Sequence, residues 1–169
     1  MAILEIKKYP EKVLKQKALP VGKIDGEIQR LIDDMVETMY AAPGVGLAAP
    51  QVGFSKRIVV IDVSIREDEN TPLVVMINPE IKTAEGKVES EEGCLSLPGY
   101  ITSVIRSERI VVCGLDRQGR PLQIEADGLL CRAFQHEIDH LDGTLLIDRI
   151  STIKREFFKK RFQKALAKA

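Results

Sequence analysis

Between residues 56 and 126 the chain is one strand-like run after another, and helical periodicity is confined to the two flanks. "KRIVVIDV", "PLVVMINPEI" and "GKVES" read as strands, with a polar turn at residues 67–70 between the first two. "ITSVIRSERIVVCGLD" and "PLQIEA" continue the series, split by the turn "DRQGRP". On the N-terminal side, Ile28, Leu31, Ile32, Met35, Val36 and Met39 recur at helical spacing. Asp25 is the cap of that helix, and Pro43 and Gly44 stop it after about Ala41. On the C-terminal side, Asp127 caps a helix that runs to about Leu141, and Gly143 follows it. A third, amphipathic helix spans Thr152 to about Ala167. A helix, a run of strands and then two helices is an α+β order. It predicts largely antiparallel sheets packed around the 127–141 helix, with helices at both ends of the chain.

At 169 residues, 44% hydrophobic and 30% charged, the chain is long enough for one domain with a real core. Without Trp, that core is aliphatic. Net charge is zero but unevenly placed. From Arg149 onward there are eight basic residues and one acid, Glu156, so this end carries +7 and the remainder −7. The division expected is a catalytic body over 1–150 and a basic helix appended over 151–169. A cationic end suits an anionic partner, and the alternative is a solvated helix face. "MAILEIKKYPEKVLK" lacks the apolar core of a signal peptide, and no segment approaches the roughly 18 apolar residues of a membrane span. Cys94, Cys113 and Cys131 are odd in number and form no CxxC pair. The expectation is a cytoplasmic protein whose cysteines are free thiols or metal ligands.

Both histidines of the chain lie in "AFQHEIDHLDG", at His136 and His140. On a helix, residues four apart project the same way and can share one ion, with Glu137 beside them to reach a metal-bound water. This is the HExxH arrangement of two ligands and a carboxylate acid or base. The alternative is two incidental histidines, one in the core and one at the surface. Leu130, Phe134, Ile138 and Leu141 make the core stripe of the same helix. Asp139, inside the motif, suits solvent exposure or hydrogen-bonding support better than ligation.

A catalytic site needs a third protein ligand. The residue six after His140 is Leu146, so a third histidine is excluded there. Two options remain: Glu156, the one downstream glutamate, and a thiolate. Cys94, in the Gly- and Pro-bounded turn of "EEGCLSLPGY", is the exposed candidate. The role of small buried hydrophobe suits Cys113 and Cys131 better. "GVGLAA" matches a loose dinucleotide fingerprint, but it follows a helix rather than a strand, and Pro50 comes just after it. It reads as a loop of small residues.

Three blocks, "GVGLAAPQVG", "EGCLS" and "QHEIDH", occur in this order and spacing, and with them the chain closely resembles the bacterial peptide deformylases. The likeness covers nearly the whole chain. It implies an enzyme that removes the formyl group from the initiator methionine of nascent chains. It implies a mononuclear site of Cys94, His136 and His140, loaded with Fe(II), with zinc, nickel or cobalt as substitutes. By the same likeness, Glu137 is the general base and acid. The Gln51 side-chain amide and the Leu95 N–H stabilise the oxyanion, and Gly46 gives the peptide a backbone hydrogen bond. N-formylmethionyl peptides are then the substrate, and Val45, Leu129 and Ala133 are the candidates for the pocket that accepts methionine, next to His136, or else plain core. The basic helix would dock on the ribosome, and no membrane is involved. The chain departs from the family at one place. Many members carry an arginine shortly after "CLS", where this chain has Tyr100 and Ile101, and the nearest arginine is Arg106. The alternatives to deformylation are an HExxH zinc peptidase using Glu156 and a non-catalytic ribosome- or peptide-binding module.

Overall fold

The computed structural model describes residues 2–64, 66 and 71–167. The expected turn at 67–70 lies outside them. Helix α1 (Gly26–Ala41) begins where the Asp25 side chain accepts a hydrogen bond from the Ile28 N–H at 3.1 Å, satisfying one of the free donors of the first turn. Strands β1 (Gly46–Ala48), β2 (Ile58–Ile61), β3 (Val74–Glu85), β4 (Val88–Cys94), β5 (Leu97–Arg106), β6 (Arg109–Leu115) and β7 (Pro121–Asp127) follow. Helices α2 (Gly128–Leu141) and α3 (Thr152–Ala167) close the chain. A five-stranded sheet has the order β1-β2-β3-β6-β7, and β4 with β5 forms a separate hairpin. Every pairing between named strands is antiparallel. The α+β expectation holds.

The sheet is covered on both faces, which explains the unalternating run "IVVI". Ile58 and Val60 pack with Ile32, Met35 and Met39 of α1. Val59 and Ile61 point the other way, into a cluster with Phe134, Ile138 and Leu141 of α2. All four β2 residues are fully buried. Each such side chain contributes roughly 1.5–3 kcal/mol, so the site helix is held by the same apolar layer that forms the sheet. Arg57 fixes its far end. Its guanidinium donates to the Leu141 carbonyl at 3.0 Å and to Asp142 at 2.9 Å, placing a cation at the negative end of α2.

Several local readings change. The glycine-rich block is not only a loop: Gly46–Ala48 pairs with β2, and Ala49–Val52 makes a 3-10 turn. Its small residues lie flush against both helices, and Ala48 and Ala49 are fully buried. Asp127 occupies the cap position of α2, but its side chain makes no capping bond; the residue also ends β7, opposite Arg109. Cys113 is half-buried rather than buried, with its thiol 3.5 Å from Gln123.

The sequence alone offers Ile153, Phe157, Phe162 and Leu166 as the apolar stripe of α3. Instead Phe158 is buried and Phe162 half-buried, while Ile153 and Phe157 stand exposed at 71% and 64%. The Leu166 side chain lies outside the described residues. Both 153/157 and 158/162 satisfy helical spacing, so periodicity could not choose between them. The rings of Tyr9 and Tyr100 choose, meeting Phe158 edge-on at 5.4 and 4.8 Å.

Candidate metal centre and peptide cleft

The HExxH helix, the end of β4 and the 3-10 turn after β1 meet at one point. The ligand atoms of Cys94, His136 and His140 all lie within 4.8 Å of one another, with Cys94 Sγ 3.3 Å from His140 Nε2. Glu156 is not there: it is exposed on α3, with Lys159 beside it. A thiolate and two imidazoles at this separation fit one divalent ion with bonds of ~2.0–2.3 Å. Cys94 is a strong thiol acid. Burial raises its pKa, but the adjacent His140 and His136 outweigh burial and hold it well below the ordinary thiol value. Burial lowers His136, whereas Glu137, Cys94 and Glu92 outweigh this and raise it well above the usual imidazole value. Protons therefore compete with a metal for His136, and metal affinity falls as the pH is lowered.

Glu137 is 5% exposed, and its Oε1 has no hydrogen-bond partner among the described residues. Burial is the main cause of its raised pKa, opposed by the two imidazoles. A buried carboxylate with a free oxygen beside a ligand cluster is poised to take up a proton.

Gln51 is buried and oriented. Its Oε1 accepts from the Ala48 N–H at 3.0 Å, which leaves Nε2 to face Ser96 Oγ at 3.2 Å and Cys94 Sγ at 3.7 Å. Its donor end is thereby aimed at the ligand cluster. The Ser96 N–H reaches the Cys94 sulfur at 3.4 Å.

A cleft of about 700 Å³ opens onto this cluster. It runs between β1, the free edge of the five-stranded sheet, and β4 of the hairpin. Val45, Gly46, Leu95, Leu129 and Ala133 all line it, together with Gln51, Cys94, His136 and Glu137. The sequence candidates therefore converge on one cavity. Gly46 has a reason beyond substrate approach. A Cβ there would sit 2.6 Å from Glu137 Oε2 and 3.0 Å from its Cδ. Gly46→Ala is expected to displace the Glu137 carboxylate and lower kcat by about 10²-fold or more, with the three ligands still able to retain metal. Steady-state rates alongside metal content check this.

Comparison with known proteins places this arrangement. Residues 3–156 match the family model described as polypeptide deformylase. The chain belongs to the peptide deformylase family. It is 63% identical over 163 residues to the peptide deformylase of Thermodesulfovibrio yellowstonii, covering 96% of this chain and 98% of that one. Among solved structures, the peptide deformylase of Legionella pneumophila superposes with a TM-score of 0.90 at 43% identity, over 99% of each chain. That of Ehrlichia chaffeensis, in complex with actinonin, gives 0.89 at 44% identity, over 98% of each. Like these relatives the chain is an enzyme, and its family implies a divalent metal, for which the Cys94, His136 and His140 cluster is the site. No helix among the described residues is long and apolar enough to cross a membrane.

The sequence reading missed the residues that support this deformylase centre. His136 Nδ1 lies 3.0 Å from Glu92 Oε1. Arg106 grips both oxygens of Glu92 at 2.7 and 2.9 Å and donates to Asp139 at 2.7 Å. Arg149 binds Asp139 from the far side, so of the two roles expected of Asp139 it takes hydrogen-bonding support rather than solvent exposure. Burial opposes ionisation of Glu92, but Arg106 and then His136 outweigh it and bring its pKa down to about 2. Arg106 is 3% exposed and is thus a structural cation, not a substitute for the arginine missing after "CLS". That place holds Ile101, 66% exposed at the cleft. The cleft takes its cations from Arg66 and Arg132 instead. One signal could have found Glu92: it precedes Cys94 by two residues on a strand, and so faces the same side.

Proposed function

We propose that this enzyme hydrolyses the formamide of N-formylmethionyl peptides, releasing formate and a free amino terminus, with Glu137 as its proton-transfer group. The observation that carries this reading is the buried Glu137 carboxylate beside a Cys/His/His cluster at the foot of a peptide-sized cleft. Cys94, His136 and His140 would hold a divalent ion, which would supply Lewis-acid activation of water and of the formyl carbonyl. Glu137 takes a proton from the attacking water as the water oxygen bonds to the formyl carbon. It returns that proton to the amine nitrogen as the C–N bond breaks. The Gln51 amide and the Leu95 N–H donate to the carbonyl oxygen as it becomes negative. The peptide lies along β1, bonded at Gly46, and the methionine side chain enters the wall formed by Val45, Leu129 and Ala133. The ion is Fe(II) in the cell, with zinc, nickel or cobalt as substitutes, by likeness to the family.

The test is formate release from a formyl-Met-Ala peptide by iron(II)-loaded protein prepared anaerobically. Cys94→Ala should lose both the metal and the release. A Cys94→Ala protein that keeps its metal would remove Cys94 from the ligand set and overturn this account of the site. No release by the fully loaded wild type would favour the binding module.

Residues 1–150 form the catalytic body, and the basic segment over 151–169, which contains α3, carries it to the ribosome in the cytoplasm. Support for this is the exposed cationic surface of α3, with Lys154, Lys159, Lys160, Arg161 and Lys164 all facing solvent. Reversing Lys159, Lys160 and Lys164 to Glu should weaken ribosome sedimentation and flatten its salt dependence. Unchanged sedimentation would remove the ribosome from this account.

A further inference from the structure

Asp62, a buried residue just past the end of β2, joins three segments that the chemistry above leaves unexplained. Its Oδ2 accepts the Tyr40 hydroxyl at 2.5 Å, from the last turn of α1. Its Oδ1 accepts both the N–H and the hydroxyl of Ser64, at 3.0 and 2.6 Å. Its own N–H donates to the Val45 carbonyl at 2.8 Å. That last bond extends the β1–β2 ladder one residue beyond the Gly46–Ile61 pair. Both ends of the short connection between α1 and β1 are therefore tied to one residue: Tyr40 through its side chain, Val45 through its carbonyl. The connection in between, Pro43 and Gly44, lines the cleft along with Val45 and Gly46.

We infer that the Tyr40–Asp62 pair is a positioning clamp that holds the edge strand β1 in register to receive the peptide substrate. β1 has three residues and one partner strand, and its other edge is open to the cleft. So short a strand gains little from its own ladder, and a peptide that bonds to it must bear the cost of ordering it unless something else does so first. Asp62 is 8% exposed, and a carboxylate so enclosed is retained only when fully hydrogen-bonded, as it is here. The hydroxyl of Tyr40, a residue 41% exposed, contributes to that satisfaction without being part of the core. None of these groups is among the metal ligands. Gly46, which abuts Glu137, is held by its own pairing with Ile61, so the clamp, which bonds β1 at Val45, acts on peptide binding and not on the bond-breaking step.

The inference rests on the reading of β1 as the peptide-binding edge, and the experiment separates the two. Tyr40→Phe removes one hydroxyl and leaves Asp62 with both Ser64 bonds, so the variant should fold and keep its metal. With iron(II)-loaded full-length protein and formyl-Met-Ala-Ser, KM should rise about tenfold in Tyr40→Phe while kcat stays within about twofold. Asp62→Ala should do the same, and the double variant should be no worse than Asp62→Ala alone. A wild-type KM in Tyr40→Phe, a matched fall in kcat, or additive effects in the double variant would each overturn the clamp. A second substrate carries an ester oxygen in place of the amide N–H that follows methionine. If wild type turns it over with unchanged KM, the edge reading fails and the clamp fails with it. If wild type loses affinity for the ester yet Tyr40→Phe behaves as wild type on the amide, the edge stands and only the clamp is wrong.

Discussion

Glu137→Gln is expected to lower formate release by about 10²–10⁴-fold while leaving metal content unchanged and raising the melting temperature. The three parts share one cause. Gln keeps the shape of Glu137, and Glu137 is not among the clustered ligand atoms, so retention of the ion should not change. It cannot accept and return a proton, so hydrolysis loses its shuttle. The native carboxylate is buried with an oxygen that no described residue satisfies, a cost the fold carries for activity. Removing the charge relieves that cost. Rates, metal analysis and thermal melts on one preparation check all three. A Gln variant of wild-type rate would move the proton transfer to another group. Loss of metal would show that Glu137 supports the ion rather than the proton.

Arg106→Ala is expected to cost about 3–5 kcal/mol of stability. Arg106 is buried and bonds Glu92 twice and Asp139 once. Without it Glu92 is left buried and ionised, with His136 as its remaining partner. Asp139 still has Arg149. The second effect is on the metal. Glu92 holds the outer nitrogen of His136, and a loosened outer partner typically costs about 10–100-fold in metal affinity. Lys should not rescue, because one ammonium cannot reproduce the planar two-point grip. Denaturant melts and chelator competition measure the two effects separately.

The pH dependence of that variant has a defined sign. Glu92 ionises at about 2 in the folded enzyme, below its ordinary carboxylate value. A lowered folded pKa stabilises the protein above the unfolded value and loses that contribution as pH falls from about 4.5 toward 2. Removing Arg106 lets the folded pKa rise, so the variant should lose its remaining stability at higher pH than wild type. Coincident acid-unfolding curves would mean that Arg106 does not hold Glu92 ionised.

Much of the site was legible because its signals are local. His136, Glu137 and His140 sit at one helical spacing, and a spacing of four on an α-helix leaves little freedom in where two imidazoles point. The strands of the central run were legible from their β-branched residues and turns. The blocks around Gln51, Cys94 and His136 identified the family before any coordinates, since their order survives whatever joins them. The face of α3 was not legible, because two pairs of apolar residues met the same periodicity. Nor was the strand hidden in "GVGLAA", whose small residues look like a loop until β2 and two helices close over them.

Local spacing thus decided which side chains can act together on one element, because helix and strand periodicity are properties of the backbone itself. Only long-range packing decided what supports them. Glu92 and Arg106, fourteen residues apart on the paired strands of a hairpin, come into register with His136 forty-four residues away from Glu92. The same packing made Gly46 necessary by bringing Glu137 against it, and chose Cys94 over Glu156 by setting a β-strand end, not the basic helix, beside the two histidines. Those are contacts between elements, and their free energies arise from burial and desolvation that exist only once the sheet, the hairpin and α2 have come together.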